Sequence, residues 1–148
     1  MIALPLLAAT ASSLAQPQLQ PFSALVGHCF VGPLPGSEGS DRHCFESVYG
    51  GQHVRDRHVV TVGGKSVYEG ETIYSAKGGQ VIFTYWNSLG GLGTGTANLA
   101  PDLWRFSGTV HGTSDGKEQP IAISWKLTSD GYDVSSAGEV PRLFKRAD

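Results

Sequence analysis

The chain has 148 residues, with 11 Lys and Arg against 13 Asp and Glu and a formal net charge of −2. That length suits one domain with a sizeable core, and with no Lys/Arg cluster to track a phosphate backbone, nucleic acid is not an expected partner. Charged residues make up only 16% and glycines number 20, a balance that favours strands and tight turns over charged surface helices.

The N-terminal residues 1–15 form an apolar run too short to cross a bilayer as a helix, which takes about 20 residues. The run ends in Ser13-Leu14-Ala15, small residues at the two positions a signal peptidase reads, although no Lys or Arg precedes it. A secretory signal cleaved after Ala15 is expected, followed by a polar linker over Gln16–Pro21 and a folded domain over 22–148. No later stretch has the length and hydropathy of a membrane helix, so the expected location is the periplasm or the cell exterior, without stable membrane insertion. Phe22, Leu25 and Val26 fall at helical spacing and could form one turn plugging an end of the fold.

Next comes a segment with strand-like ends and a Pro/Gly/Ser middle, His28 to Phe45. Folded as a hairpin centred between Gly36 and Ser37, it sets Cys29 opposite Cys44. Opposed Cβ atoms lie about 4.5–5.5 Å apart, within easy reach of a disulfide. An exported chain with two cysteines is expected to bond them. His28, Cys29, His43 and Cys44 look superficially like a zinc set. Adjacent strand residues point to opposite faces, so the two cysteines share one face and the two histidines the other. One tetrahedral ion could not take all four, and no metal is expected there.

Strands and turns then alternate to the end of the chain. Expected strands are His28–Val31, His43–Tyr49, His53–Val62, Val67–Ser75, Gln80–Ser88, Gly93–Leu99, Leu103–His111, Ile121–Thr128 and Tyr132–Ser136. Gly50-Gly51, Gly63-Gly64, Gly78-Gly79 and Asp130-Gly131 are hairpin punctuation. About nine antiparallel strands with short connections must close or split to hide their edges. Short connections favour closure, so the expected fold is all-β: an antiparallel up-and-down barrel with a short N-terminal helical turn.

Three phrases carry a resemblance: Phe22-Ser-Ala-Leu-Val-Gly27 before the first strand, Tyr68-Glu-Gly-Glu-Thr-Ile-Tyr74, and Tyr85-Trp-Asn-Ser-Leu-Gly-Gly91. With the meander around them, they resemble the lipocalin-like, or calycin, β-barrels, in particular small uncharacterised bacterial exported proteins of that type. The resemblance runs from Phe22 to the C-terminus. It implies a barrel that holds a small apolar or amphipathic ligand.

Strand alternation suggests which residues could meet that ligand. Arg55 and Arg57, Glu69 and Glu71, with Tyr85 and Asn87, form a polar set that could converge inside the barrel, while Phe83 takes an apolar body. The competing reading puts the Arg and Glu residues on the wet outer surface as cross-strand ion pairs. Two other functions compete with ligand binding. Residues 33–36, fixed by the disulfide, could dock a protein, or Glu71 and Tyr85 could perform acid–base chemistry. His53 and His58 are five apart on one strand and face opposite ways, so they cannot chelate one ion together. The glycine-rich 90–96 segment lacks the lysine and the strand–turn–helix setting of a phosphate loop, and no nucleophile elbow exists. No catalytic residue, cofactor or metal ligand is therefore expected. Trp86, Trp104 and Trp125 are expected in core or rim packing.

Overall fold

The computed structural model describes residues 13–112 and 116–148. Ten antiparallel strands form a closed barrel: β1 (Cys29–Pro33), β2 (Ser40–Val48), β3 (His53–Val62), β4 (Lys65–Lys77), β5 (Gln80–Asn87), β6 (Leu92–Leu99), β7 (Trp104–His111), β8 (Glu118–Leu127), β9 (Gly131–Ser136) and β10 (Arg142–Arg146). Each strand pairs with its sequence neighbours, and β10 pairs with β1, Phe30 opposite Arg146. The all-β barrel expected from the sequence is therefore present, with one strand more. β10 escapes a periodicity reading because it is short and mostly charged, with Phe144 its one fully buried side chain.

Local chemistry sets the hairpins. Gly63 and Gly64 have φ of 57° and 75°, and Gly78 and Gly79 have 57° and 79°. Two consecutive positive-φ residues make the turn whose twist matches the flanking strands, and only glycine enters it freely. In the first hairpin, Cys29 pairs with Cys44 across β1 and β2, and the two are joined by a disulfide.

A 3-10 helix, Pro17–Ala24, closes one end of the barrel. Leu19 and Phe22 are fully buried. The Phe22 ring packs on Tyr74 at 4.6 Å and on Trp104 at 4.8 Å. The linker expected over Gln16–Pro21 is thus folded onto the barrel: the apolar Leu19 in that polar run supplies the anchor. The expected signal falls mostly on residues 1–12, outside the described residues. Of its last residues, Leu14 is buried, and the Ala15 N–H donates to the Gly51 carbonyl at 2.8 Å.

Aromatic side chains fill the helix end of the interior. Toward the opposite end they thin out, because Gly93, Gly95 and Gly108 stand at inward positions on β6 and β7. Gly95 faces Gly108 across the ladder, and a Cβ on Gly95 would press on the Phe83 ring at 2.6 Å. These strands approach closely and leave space inside the wall.

Candidate functional site

That space is an interior cavity of about 270 Å³. Its walls carry Tyr74, Phe83, Phe106, Trp125, Tyr132 and Phe144. Tyr132 is sandwiched between Trp125 (4.7 Å, 21°) and Phe144 (5.2 Å, 3°). A polar floor completes the lining: Asp41, His43, Asp56, His58 and Arg142.

Strand parity assembles the floor. Asp41, His43 and Phe45 alternate inward along β2, and Val54, Asp56, His58 and Val60 along β3. Their register sets His43 opposite His58 and Phe45 opposite Asp56, so each histidine meets a carboxylate on the diagonal. His43 Nδ1 lies 2.9 Å from Asp56 Oδ2, and His43 Nε2 lies 3.3 Å from Asp41 Oδ2. His58 Nδ1 is 3.2 Å from Asp41 Oδ1, and Arg142 reaches the same carboxylate at 3.7 Å. The two imidazoles stack with centroids 4.7 Å apart. Asp41 is 5% exposed and Asp56 3%. Charges this deep persist only when paired and hydrogen-bonded.

The pairing sets the protonation of the floor. Burial alone would lower His43, but the Asp56 and Asp41 carboxylates outweigh it and push it up to about 10. Burial alone would raise Asp41, yet hydrogen bonds from His43 and His58 hold it well below the usual carboxylate range. Above the floor, the Tyr68 and Tyr85 hydroxyls hydrogen-bond to each other, and burial raises Tyr68 above the ordinary phenol range. The His58 ring meets Tyr68 edge-on at 5.4 Å. Gly70 makes room for it: any Cβ there would collide with the imidazole.

Two buried polar atoms lack a partner among the described residues and border this region, His58 Nε2 and the Tyr132 hydroxyl. Tyr132 is fully buried. Tyr132 lines the cavity, and a buried hydroxyl without a partner is a polar group still to be satisfied.

Of the residues expected at the site, Phe83 and Tyr85 line the cavity. Arg55, Arg57, Glu69 and Glu71 do not converge there, because they sit at the opposite strand parity. Arg55 pairs with Glu46 at 2.6 Å, and Arg57 with Glu71 at 3.9 Å, both half-buried or more exposed. Glu69 is exposed and accepts from the Ser66 hydroxyl at 3.3 Å. Asn87 accepts the Leu89 and Gly91 N–H groups at 3.0 and 2.9 Å, holding the β5–β6 turn. Arg57, Glu69, Glu71 and Asn87 instead border a shallow outer groove of about 230 Å³ beside Trp86. Across β4 and β5, Thr72 pairs with Tyr85 and Glu71 with Trp86. Glu71 and Tyr85 therefore lie on opposite faces of the wall, and acid–base chemistry shared between them is ruled out.

The floor itself was not anticipated. A trace of it exists in the sequence as Asp41-x-His43-x-Phe45 followed by Asp56-x-His58, two alternating Asp/His phrases on paired strands. In comparisons with known proteins, the chain matches no protein-family model and no curated protein. Among the described residues, no helix is long and apolar enough to cross a membrane. The fold and cavity define a disulfide-bonded, closed antiparallel barrel with a partly polar interior.

Proposed function

We propose that this chain is an exported, lipocalin-like barrel of the periplasm or cell exterior that binds a small amphipathic molecule in its interior. One observation carries the reading: an aromatic cavity inside the barrel ends on a buried, hydrogen-bonded floor of Asp, His and Arg. Ligand sites typically combine apolar walls with a few fixed polar groups. At about 270 Å³ the cavity lies just below the ~300–1,000 Å³ usual for such sites. A compact ring system with one polar end suits it better than a long acyl chain. Disulfides persist in oxidising compartments, which supports export. The reading needs no cofactor and no nucleic acid.

The protein-docking alternative finds little support. Leu34 in the 33–36 loop is half-buried, and that loop carries no exposed large hydrophobic side chain.

The test has two arms. Native mass spectrometry of the exported protein should reveal a co-purifying small molecule, and 1-naphthol should bind with a change in tryptophan fluorescence. Val110→Trp, which fills the cavity from its wall, should abolish both. Absence of any adduct, together with equal naphthol binding by wild type and Val110→Trp, would reject the reading.

A further inference from the structure

We propose that Asp41, His43 and His58 are the ligands of a divalent transition-metal site on the cavity floor, with Asp56 orienting His43 and an open position facing the cavity.

The donors are already gathered. One ligand-capable atom from each residue lies within 4.8 Å of the other two. The Asp41 carboxylate is the hub, with one oxygen 3.3 Å from His43 Nε2 and the other 3.2 Å from His58 Nδ1. Ligands bonded at ~2.0–2.1 Å around a tetrahedral ion sit about 3.3 Å from each other. Each histidine nitrogen thus approaches the Asp41 carboxylate at about that edge length, one on each oxygen. Two imidazoles and one carboxylate form a donor set suited to zinc or a similar first-row dication, and three protein ligands leave a position free.

Asp56 supplies the support that metal-bound histidines ordinarily have. It takes the Nδ1 side of His43 at 2.9 Å, leaving Nε2 to face Asp41. A carboxylate behind a ligating histidine fixes its tautomer and ring orientation. Asp56 is 3% exposed, so its carboxylate is held to His43 and away from solvent. The second, independent observation is the Tyr132 hydroxyl, fully buried, unpartnered among the described residues and lining the same cavity.

Charge then narrows the ligand. Once the ion displaces the His43 proton to solvent and both imidazoles are neutral, Asp41, Asp56 and Arg142 together carry one net negative charge, and Arg142 sits 3.7 Å from Asp41. A dication would leave the floor with one net positive charge. The polar end of the amphipathic ligand is then anionic, a carboxylate or phenolate. The site shares its cavity with the binding function proposed above, but the metal claim stands or falls without any organic ligand.

The experiment uses the full, disulfide-bonded chain, dialysed against chelator and titrated with Zn²⁺ alone by calorimetry and Co²⁺ alone by visible absorption. One ion per chain is expected, with the visible bands of a low-coordinate Co²⁺ site bearing nitrogen donors. His43→Ala and His58→Ala should each weaken binding at least 100-fold. Asp56→Asn should weaken it about 10–100-fold. Combined alanine substitution of His28, His53 and His111, which pair elsewhere with Asp148, Ser75 and Glu118, should leave binding intact. Val110→Trp should lose naphthol yet keep the metal, separating the two claims. If the alanine variants do not fold, His58→Gln and the wild-type Co²⁺ spectrum decide. Loss of binding in the triple surface variant, equal affinity in Asp56→Asn and wild type, or a purely hexa-aquo-like Co²⁺ spectrum would overturn the proposal.

Discussion

Tyr132→Phe should make the ligand-free barrel more stable and a poorer binder. The ring is fully buried and stacked on both faces by Trp125 and Phe144, and phenylalanine keeps that stacking. Only the hydroxyl is lost, and it has no partner among the described residues. A buried polar group left without a hydrogen bond costs about 1–3 kcal/mol. Removing it should raise the unfolding free energy by about that amount. At this chain length each kcal/mol moves the midpoint by roughly 3–4 °C, so Tm should rise by roughly 3–12 °C. Urea unfolding followed by circular dichroism, with unchanged m, measures the free energy directly. Naphthol affinity should fall about 3–10-fold, the value of one neutral hydrogen bond. A variant less stable than wild type would show that the hydroxyl is satisfied in the free protein. The argument for an unsatisfied polar group at the cavity would then fail.

Three further outcomes follow from the same physics. Replacing both Cys29 and Cys44 by Ala opens a loop of sequence separation 15, which should cost about 3 kcal/mol in denaturant unfolding; an unchanged midpoint would mean that strand pairing alone holds the hairpin. Arg57→Ala, on the exposed outer wall 3.9 Å from Glu71, should change stability by no more than ~0.5 kcal/mol and leave naphthol titrations unaltered, whereas lost binding would return the site to the outer set. In chelator, the metal-free chain should show a distinct pH profile. His43 is raised from 6.5 to about 10, so its stabilisation is complete below pH 6.5 and disappears as pH climbs through 10. Asp41 is depressed from 3.8, so its contribution is present above that value and lost as pH falls through the lower folded one. Stability measured by urea at each pH should decline on the alkaline side, and His43→Gln should flatten that limb. A wild-type profile already flat from pH 6.5 to 10 would contradict the buried imidazolium.

The barrel was legible because its determinants are local. Glycine pairs such as Gly63-Gly64 mark hairpins, alternation marks strands, and the spacing of Cys29 and Cys44 across one turn fixes their register. The tenth strand was hidden because its identity lies in its partner. Arg142–Arg146 reads as a charged tail until β1 offers it an edge. The candidate site depends on which strand parity faces inward. Arg55, Arg57, Glu69 and Glu71 are conspicuous charges, but strand alternation alone does not say which face is inside. Asp56 and His58 stood on the other face of the same strand, and their value depends on Asp41 and His43 one strand away. Only the β2–β3 register, with His43 against His58, joins them. In Gln16–Pro21 a single buried Leu19 outweighs its polar neighbours and holds the segment in the 3-10 helix, which polar composition does not signal.

The central claim is that a small molecule enters the barrel. Methyl-labelled protein with 1-naphthol, examined by intermolecular nuclear Overhauser effects, tests it most directly. Val110, Ile121, Ile123 and Val134 line the cavity, while Val67, Leu89 and Leu92 are exposed on the outside. The account predicts effects from naphthol protons to the first group and none to the second. Effects confined to Val67, Leu89 and Leu92, or none at all at saturating naphthol, would contradict it.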